Sequence, residues 1–176
     1  MNRNTFDSLP WIKHAASYLG LKEIKGARHA PEITKMLAEL GLPWRDDETP
    51  WCAVFCSAML KRAKRGYPKQ SPAWARSFDK NGMKLTKPAF GATATKARKG
   101  GGGHVYFIVG ITENGMIVGL GGNQSDSVNL ALFRPSEVTS INWPPSEDGV
   151  VRVPAEFRYD LPHYNSRTLK LSASEA

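Results

Sequence analysis

One cysteine is placed where a helix would activate its thiol. Thr49 supplies an N-cap type of residue and Pro50 suits the first helical position, and an apolar run follows, so the sequence predicts Cys52 in the first turn of a buried helix. Unpaired N–H groups and the helix dipole stabilise a thiolate there, the form that attacks carbonyl carbon. Residue type alone favours a packing cysteine, and Cys56, one turn further on, is assigned to packing.

One histidine is placed where it could act as the base. His104 follows the glycine run 100–103 and opens a predicted strand, so its imidazole is expected at a strand edge that substrate can approach closely. The other three histidines lack both features, although a lone histidine is more often structural or on the surface. We therefore predict that His104 takes the proton of Cys52.

A polar turn after the next predicted strand could supply a third site residue, one that orients the His104 ring. Asn123 follows two glycines in this turn and is the candidate to fix the tautomer and direction of the His104 ring. An ordinary turn asparagine is an equally good interpretation from composition. Gln124 and Asp126 are the fallback candidates for the same role.

Three short motifs resemble the CHAP family of cysteine, histidine-dependent amidohydrolases and peptidases, in particular its bacteriophage branch. They are Pro-Trp-Cys-Ala-Val-Phe at 50–55, Gly-His-Val at 103–105 and Leu-Gly-Gly-Asn-Gln-Ser at 120–125. Their order and spacing match as well, and the resemblance covers roughly residues 11 to 145. It implies the papain-like cell-wall peptidase fold, with Cys52 as nucleophile, His104 as base and Asn123 as the orienting residue.

The resemblance also implies an activity and a setting. Members of the family cleave peptidoglycan as N-acetylmuramoyl-L-alanine amidases or as endopeptidases. The chain resembles an endolysin, made in the host cytoplasm and released to the cell wall by a holin, although use as a bacterial toxin stays open. Ala92 stands where many relatives have an aspartate, and the family's fourth, acidic residue is not assigned because Glu23 and Glu48 are both available.

The secondary-structure elements that must position these residues are helices in the N-terminal half of the chain and strands after it. Helices are predicted at 11–20, at 31–41 and from 50 to about 65, and strands at 90–95, 104–112, 116–120 and 127–133. The fold class is therefore α+β, with N-terminal helices packed on an antiparallel β-sheet. A single catalytic domain is expected over 1–162, followed by a flexible tail over 163–176.

The composition of the 176-residue chain indicates which classes of partner to expect. Its formal net charge of +8 favours an anionic partner, here the envelope surface and peptidoglycan, and the sequence has no recognisable nucleic-acid motif. No apolar run approaches the ~20 residues of a transmembrane helix, and the N-terminus does not resemble a signal peptide. Metal and cofactor are not predicted, and a monomer is expected.

Two other functions remain as alternatives. The first is a cell-wall-binding module of the same fold without catalysis, which would hold the wall by charge and by Trp44, Trp51 and Trp74. The second is a muramidase that uses a carboxylate pair such as Glu23 and Asp46. Neither carboxylate lies in a recognisable motif.

Overall fold

Three α-helices precede all eight strands of the sheet in the chain. The computed structural model describes residues 3–26, 28–98, 100–150 and 159–172. The helices are α1 (Pro10–Ala16), α2 (Pro31–Glu39) and α3 (Cys52–Arg62). All three were predicted, but α1 ends at Ala16 rather than at Gly20. Within the described ranges the longest α-helix is α3, with 11 residues, and no helix combines the length and apolar character needed to cross a bilayer.

The strands form one mixed sheet of eight members. They are β1 (Met83–Lys84), β2 (Thr93–Ala97), β3 (Gly103–Thr112), β4 (Ile117–Gly121), β5 (Asn129–Phe133), β6 (Val138–Trp143), β7 (His163–Tyr164) and β8 (Lys170–Leu171). Their order is β1-β6-β2-β3-β4-β5-β8, with β7 beside β3. The α+β class is confirmed. The purely antiparallel sheet is corrected, because β7 pairs with β3 and β8 with β5 in parallel.

Residues 163–172 belong to the segment that the sequence predicts as a tail. His163 and Tyr164 pair with the end of β3, and Lys170 and Leu171 pair with β5. The Tyr164 ring lies against the backbone of Gly110, where a side chain would leave no room for it. This segment therefore runs along the sheet, while 173–176 lie outside the described residues.

The helices cover one part of the sheet through a continuous apolar core. The Trp11 ring meets Trp143 of β6 edge-on, with centroids 5.5 Å apart, and its indole N–H donates to the carbonyl of Gly91 at 2.8 Å. Helix α3 packs against α1, α2 and β3, and its residues Cys52 to Leu60 are all buried. A helix enclosed on so many sides holds its first turn in a fixed position relative to β3.

A buried carboxylate organises the loop between α1 and α2. Asp47 is fully buried, and its carboxylate accepts hydrogen bonds from the backbone N–H groups of Ile24 at 2.7 Å and Ala30 at 2.8 Å. Its other oxygen lies 2.9 Å from Nδ1 of His29. Although burial acts to raise the pKa of Asp47, these hydrogen bonds outweigh it and hold the pKa below the usual 3.8.

Replacing Asp47 by Asn should lower the free energy of unfolding by about 1–3 kcal/mol at neutral pH, because a neutral amide oxygen accepts the hydrogen bonds of Ile24 and Ala30 more weakly than the charged carboxylate does. The lowered pKa means that this stabilisation is fully present above pH 3.8 and is lost as the pH falls through the folded-state pKa. Denaturant unfolding of both proteins across this range measures the difference. Asp160→Asn, at an exposed carboxylate, is the control and should change stability by less than about 0.5 kcal/mol. Equal stability of the wild type and Asp47→Asn at neutral pH would contradict the assignment.

Candidate active site

Cys52 is the first residue of α3, so the prediction that it lies in the first helical turn is confirmed. The predicted N-cap at Thr49 is wrong, because the N-cap position is Trp51. The Thr49 hydroxyl and N–H instead both donate to the Asp46 carboxylate at 2.8 Å, forming a local turn before the helix. The Thr49 hydroxyl is therefore used in this turn, two residues before the N-cap position, and does not cap α3. Cys52 itself is 3% exposed.

The next turn of α3 attaches the helix to the strand that carries His104. Sγ of Cys56 lies 3.8 Å from the carbonyl oxygen of Val105, and burial raises the pKa of this thiol well above its usual range. The Ser57 hydroxyl donates to the carbonyl of Pro72 at 2.8 Å. Cys56 therefore lies in the core, as expected for a packing residue.

His104 is the second residue of β3 and is 1% exposed. Its ring stacks on Phe133 of β5, with centroids 5.8 Å apart and planes inclined by 16°, and lies 6.0 Å from the Tyr106 ring. Strand alternation places His104 and Tyr106 on the same face of β3. The aromatic neighbours limit the directions that the imidazole can take.

Hydrogen bonds define the tautomer of His104. Nη2 of Arg98, which can only donate, lies 3.5 Å from Nδ1, so Nδ1 is the acceptor. Nε2 therefore carries the proton and donates to Oε1 of Gln124 at 3.2 Å. The amide of Gln124 is itself oriented, because its Nε2 donates to the carbonyl of Asn129 at 2.7 Å and to its side-chain oxygen at 3.0 Å.

Gln124, the first fallback of the sequence analysis, makes the contact to His104 that was considered for Asn123. Asn123 is the preceding residue, lies in the left-handed region with φ 55° and is nearly buried. Both residues border the same cavity as His104. The structure thus brings Asn123 and His104 into one site, and the role of Asn123 as the orienting residue stays a prediction.

The environment of His104 keeps its imidazole neutral. Burial is the main cause, and the positive charges of Arg98 and Lys96 add to it, so the pKa falls to about 3 despite the hydrogen bond to Gln124. Lys96 lies directly across from His104 in the β2–β3 pairing, and its ammonium group is 3.8 Å from the Glu137 carboxylate. A neutral imidazole can accept a proton at Nδ1 once the Arg98 guanidinium no longer donates to that nitrogen.

Two consecutive glycines lie between the Cys52 helix and the His104 ring. A Cβ on Gly122 would approach the Trp51 ring to 2.5 Å and Cβ of Phe55 to 2.7 Å. A Cβ on Gly121 would instead approach Oε1 of Gln124 to 2.7 Å and Cβ of Tyr106 to 3.1 Å. The helix end and the histidine network therefore approach this turn from opposite sides.

A cavity of about 360 Å³ opens beside His104, Asn123 and Gln124. Basic side chains from three distant parts of the chain also border it, namely Lys22, Arg98 and Lys170. Cys52 is not among the described residues that line it. Sequence reasoning missed these basic residues as site residues, because their charge was considered only as part of the net charge of +8 and no motif marks them.

The two acidic candidates for a fourth site residue have different surroundings. Oε2 of Glu23 accepts a hydrogen bond from the indole N–H of Trp51 at 3.3 Å, next to Cys52 in the chain, and burial raises its pKa. Glu48 accepts from the backbone N–H of Gly26 at 2.8 Å. Across the described residues, no group of three or more His, Cys, Asp or Glu side chains is arranged to hold a metal ion.

Comparisons of the chain with protein-family models, with curated proteins and with solved structures find no match in any of the three.

His104 should remain neutral in solution between about pH 5 and pH 8, because burial and two nearby cations lower its pKa to about 3. Histidine-labelled protein observed by nitrogen NMR should show the Nε2–H tautomer for this ring throughout the range. Gln124→Ala should disturb the tautomer signal of His104, whereas Gln70→Ala, at an exposed glutamine elsewhere, should not. Titration of the His104 ring near 6.5 in the wild type would contradict the assignment.

Proposed function

We propose that the protein is a papain-like cysteine amidohydrolase or peptidase of the CHAP type that cleaves an amide bond of bacterial peptidoglycan. The observation that carries the proposal is one arrangement of elements. Cys52 begins a buried helix that is packed on β3, and the second residue of β3 is a neutral histidine with a defined tautomer. The three motifs of the CHAP resemblance fall on this arrangement, at the helix start, the strand start and the turn after β4.

The proposed reaction uses each of these groups once. The Sγ–H proton of Cys52 passes to Nδ1 of His104, and the thiolate attacks the carbonyl carbon of the amide. Backbone N–H groups in the first turn of α3 stabilise the developing oxyanion. The imidazolium then returns its proton to the departing amine, and water hydrolyses the acyl-enzyme to release a carboxylic acid.

Nδ1 of His104 faces the Arg98 guanidinium in the described structure, and this defines one requirement of the mechanism. A nitrogen that accepts a hydrogen bond from Arg98 cannot at the same time accept the proton of a thiol. Arg98 must therefore turn away from the ring before the transfer. Its half-exposed position beside the cavity leaves space for that movement.

The proposed substrate is the peptide part of the bacterial cell wall, at the lactyl–alanine amide or within the stem. A formal charge of +8 suits approach to an acidic envelope. An endolysin released by a holin is the setting that the resemblance implies, and it belongs to this proposal.

A wall-binding module of the same fold without catalysis is the second candidate. One observation favours it, namely that Cys52 and His104 are only 3% and 1% exposed. Of the three tryptophans considered for wall contact, Trp51 is buried, while Trp44 and Trp74 are exposed and line a groove of about 280 Å³. Reaction of the Cys52 thiol with an alkylating reagent, together with bond cleavage, distinguishes the enzyme from the module.

Cys52→Ala should lower the release of new amino groups from purified peptidoglycan by at least about a thousandfold, because removal of a covalent nucleophile removes the reaction path. The wild-type digest should gain free amines without gaining reducing sugar ends, which a muramidase would produce instead. Amine labelling and a reducing-end assay on the same digest measure both.

Cys56→Ser is the matched control, because it changes the other thiol of the same helix at a buried position. It should retain most of the activity, and circular dichroism of both variants should match that of the wild type. Full activity in Cys52→Ala would refute the nucleophile. Reducing ends without new amines would move the search to Glu23 and the acidic residues near it.

A further inference from the structure

The cavity beside His104 has the charge of an anion-binding site. Lys22, Arg98 and Lys170 border it, whereas none of the described lining residues is an aspartate or glutamate. Ser125 and Ser127 are also among its lining residues. Three basic side chains around one cavity, with no acidic residue among its described lining residues, raise the local positive potential.

Backbone pairing, rather than contacts of their own side chains, brings the two exposed lysines to the cavity. Lys22 forms an isolated bridge with Ser127, and Lys170 pairs with Ala131 of β5. Arg98 is held at the end of β2, where its backbone N–H donates to the carbonyl of Gly102 at 3.0 Å. The fold therefore fixes the backbone from which each of these three basic side chains extends.

Lys96 is a further basic residue close to His104, but its surroundings differ from those of Lys22, Arg98 and Lys170. It is buried, its ammonium group lies 3.8 Å from Glu137, and it lies over the Phe133 ring at 5.6 Å. Lys96 is thus part of the internal network around His104. Lys22 and Lys170 are exposed and remain accessible to a ligand.

We propose that this cavity binds a carboxylate of an acidic peptide and thereby holds a wall stem peptide beside His104. The proposal rests on the proposed function for the identity of the peptide. Bidentate contact with Arg98 and charge attraction from Lys22 and Lys170 would recognise the carboxylate. A peptide whose carboxylates are amidated lacks the charge that this cavity recognises.

The test measures binding to the full-length Cys52→Ala protein, which has no turnover. The probes are N-acetyl-L-alanyl-D-glutamate, which has two carboxylates, its uncharged diamide, and inorganic phosphate, each titrated by NMR. The dipeptide should bind about tenfold more tightly than the diamide and than phosphate, and it should shift the resonances of Gln124 and Ser127.

Two matched double variants separate the cavity from the overall charge. Lys22→Gln with Lys170→Gln should remove the preference for the carboxylate, whereas Lys35→Gln with Lys84→Gln, at exposed sites elsewhere, should retain it although the net charge falls equally. Equal affinity for dipeptide and diamide, equal loss in both double variants, or phosphate binding as tightly as the dipeptide would each overturn the proposal. Binding is measured in a variant that has no turnover. Absence of amine release by the wild type would therefore refute the proposed function without changing the result of the binding experiment.

Discussion

The close approach of two layers at the turn after β4 is the constraint on which the site depends. Gly122 leaves space for the Trp51 ring and for Phe55 on one side, and Gly121 leaves space for Tyr106 and Gln124 on the other. A side chain at either position would push the end of α3 or the histidine network away from the turn. The positions of both Cys52 and His104 therefore depend on backbone that has no Cβ.

The second constraint is that His104 is enclosed before any substrate arrives. Stacking on Phe133 and burial within the sheet remove the water that would stabilise an imidazolium. The single amide of Gln124 does not compensate, so the pKa stays at about 3. Such a site differs from one that holds an imidazolium at rest, because here the neutral imidazole is the more stable state.

Sequence alone predicted the elements whose signals are local. The first turn of α3 and the start of β3 were predicted from the apolar pattern and from neighbouring glycines. Strand β6 was missed because buried Ser140 and Asn142 interrupt its apolar pattern. Their partners are distant, since Asn142 donates to the carbonyl of Phe78 and Ser140 donates to that of Asp79.

The site residues also divide into those that have a local signal in the sequence and those that depend on distant partners. Cys52 and His104 could be selected because each has a local signature, a helix start and a glycine-flanked strand. Gln124 could not be preferred over Asn123, because the choice depends on which side of a turn each side chain leaves. The left-handed backbone of Asn123 and the contacts of Gln124 to Asn129 determine that direction. Lys22 and Lys170 reach the cavity only through pairing across the chain.

Arg98 takes part both in the proposed reaction and in the proposed carboxylate site. Together, the two proposals explain how His104, a weak base at rest, could become basic enough to take the proton of a thiol. At rest, Arg98 occupies Nδ1 of His104 and, with Lys96, disfavours the imidazolium. A carboxylate bound in the cavity would attract the guanidinium, release Nδ1 and add a negative charge beside the ring. Each of these changes raises the pKa of His104, since opposite charge favours the protonated form. Binding of the acidic peptide would then prepare the base that acts on it.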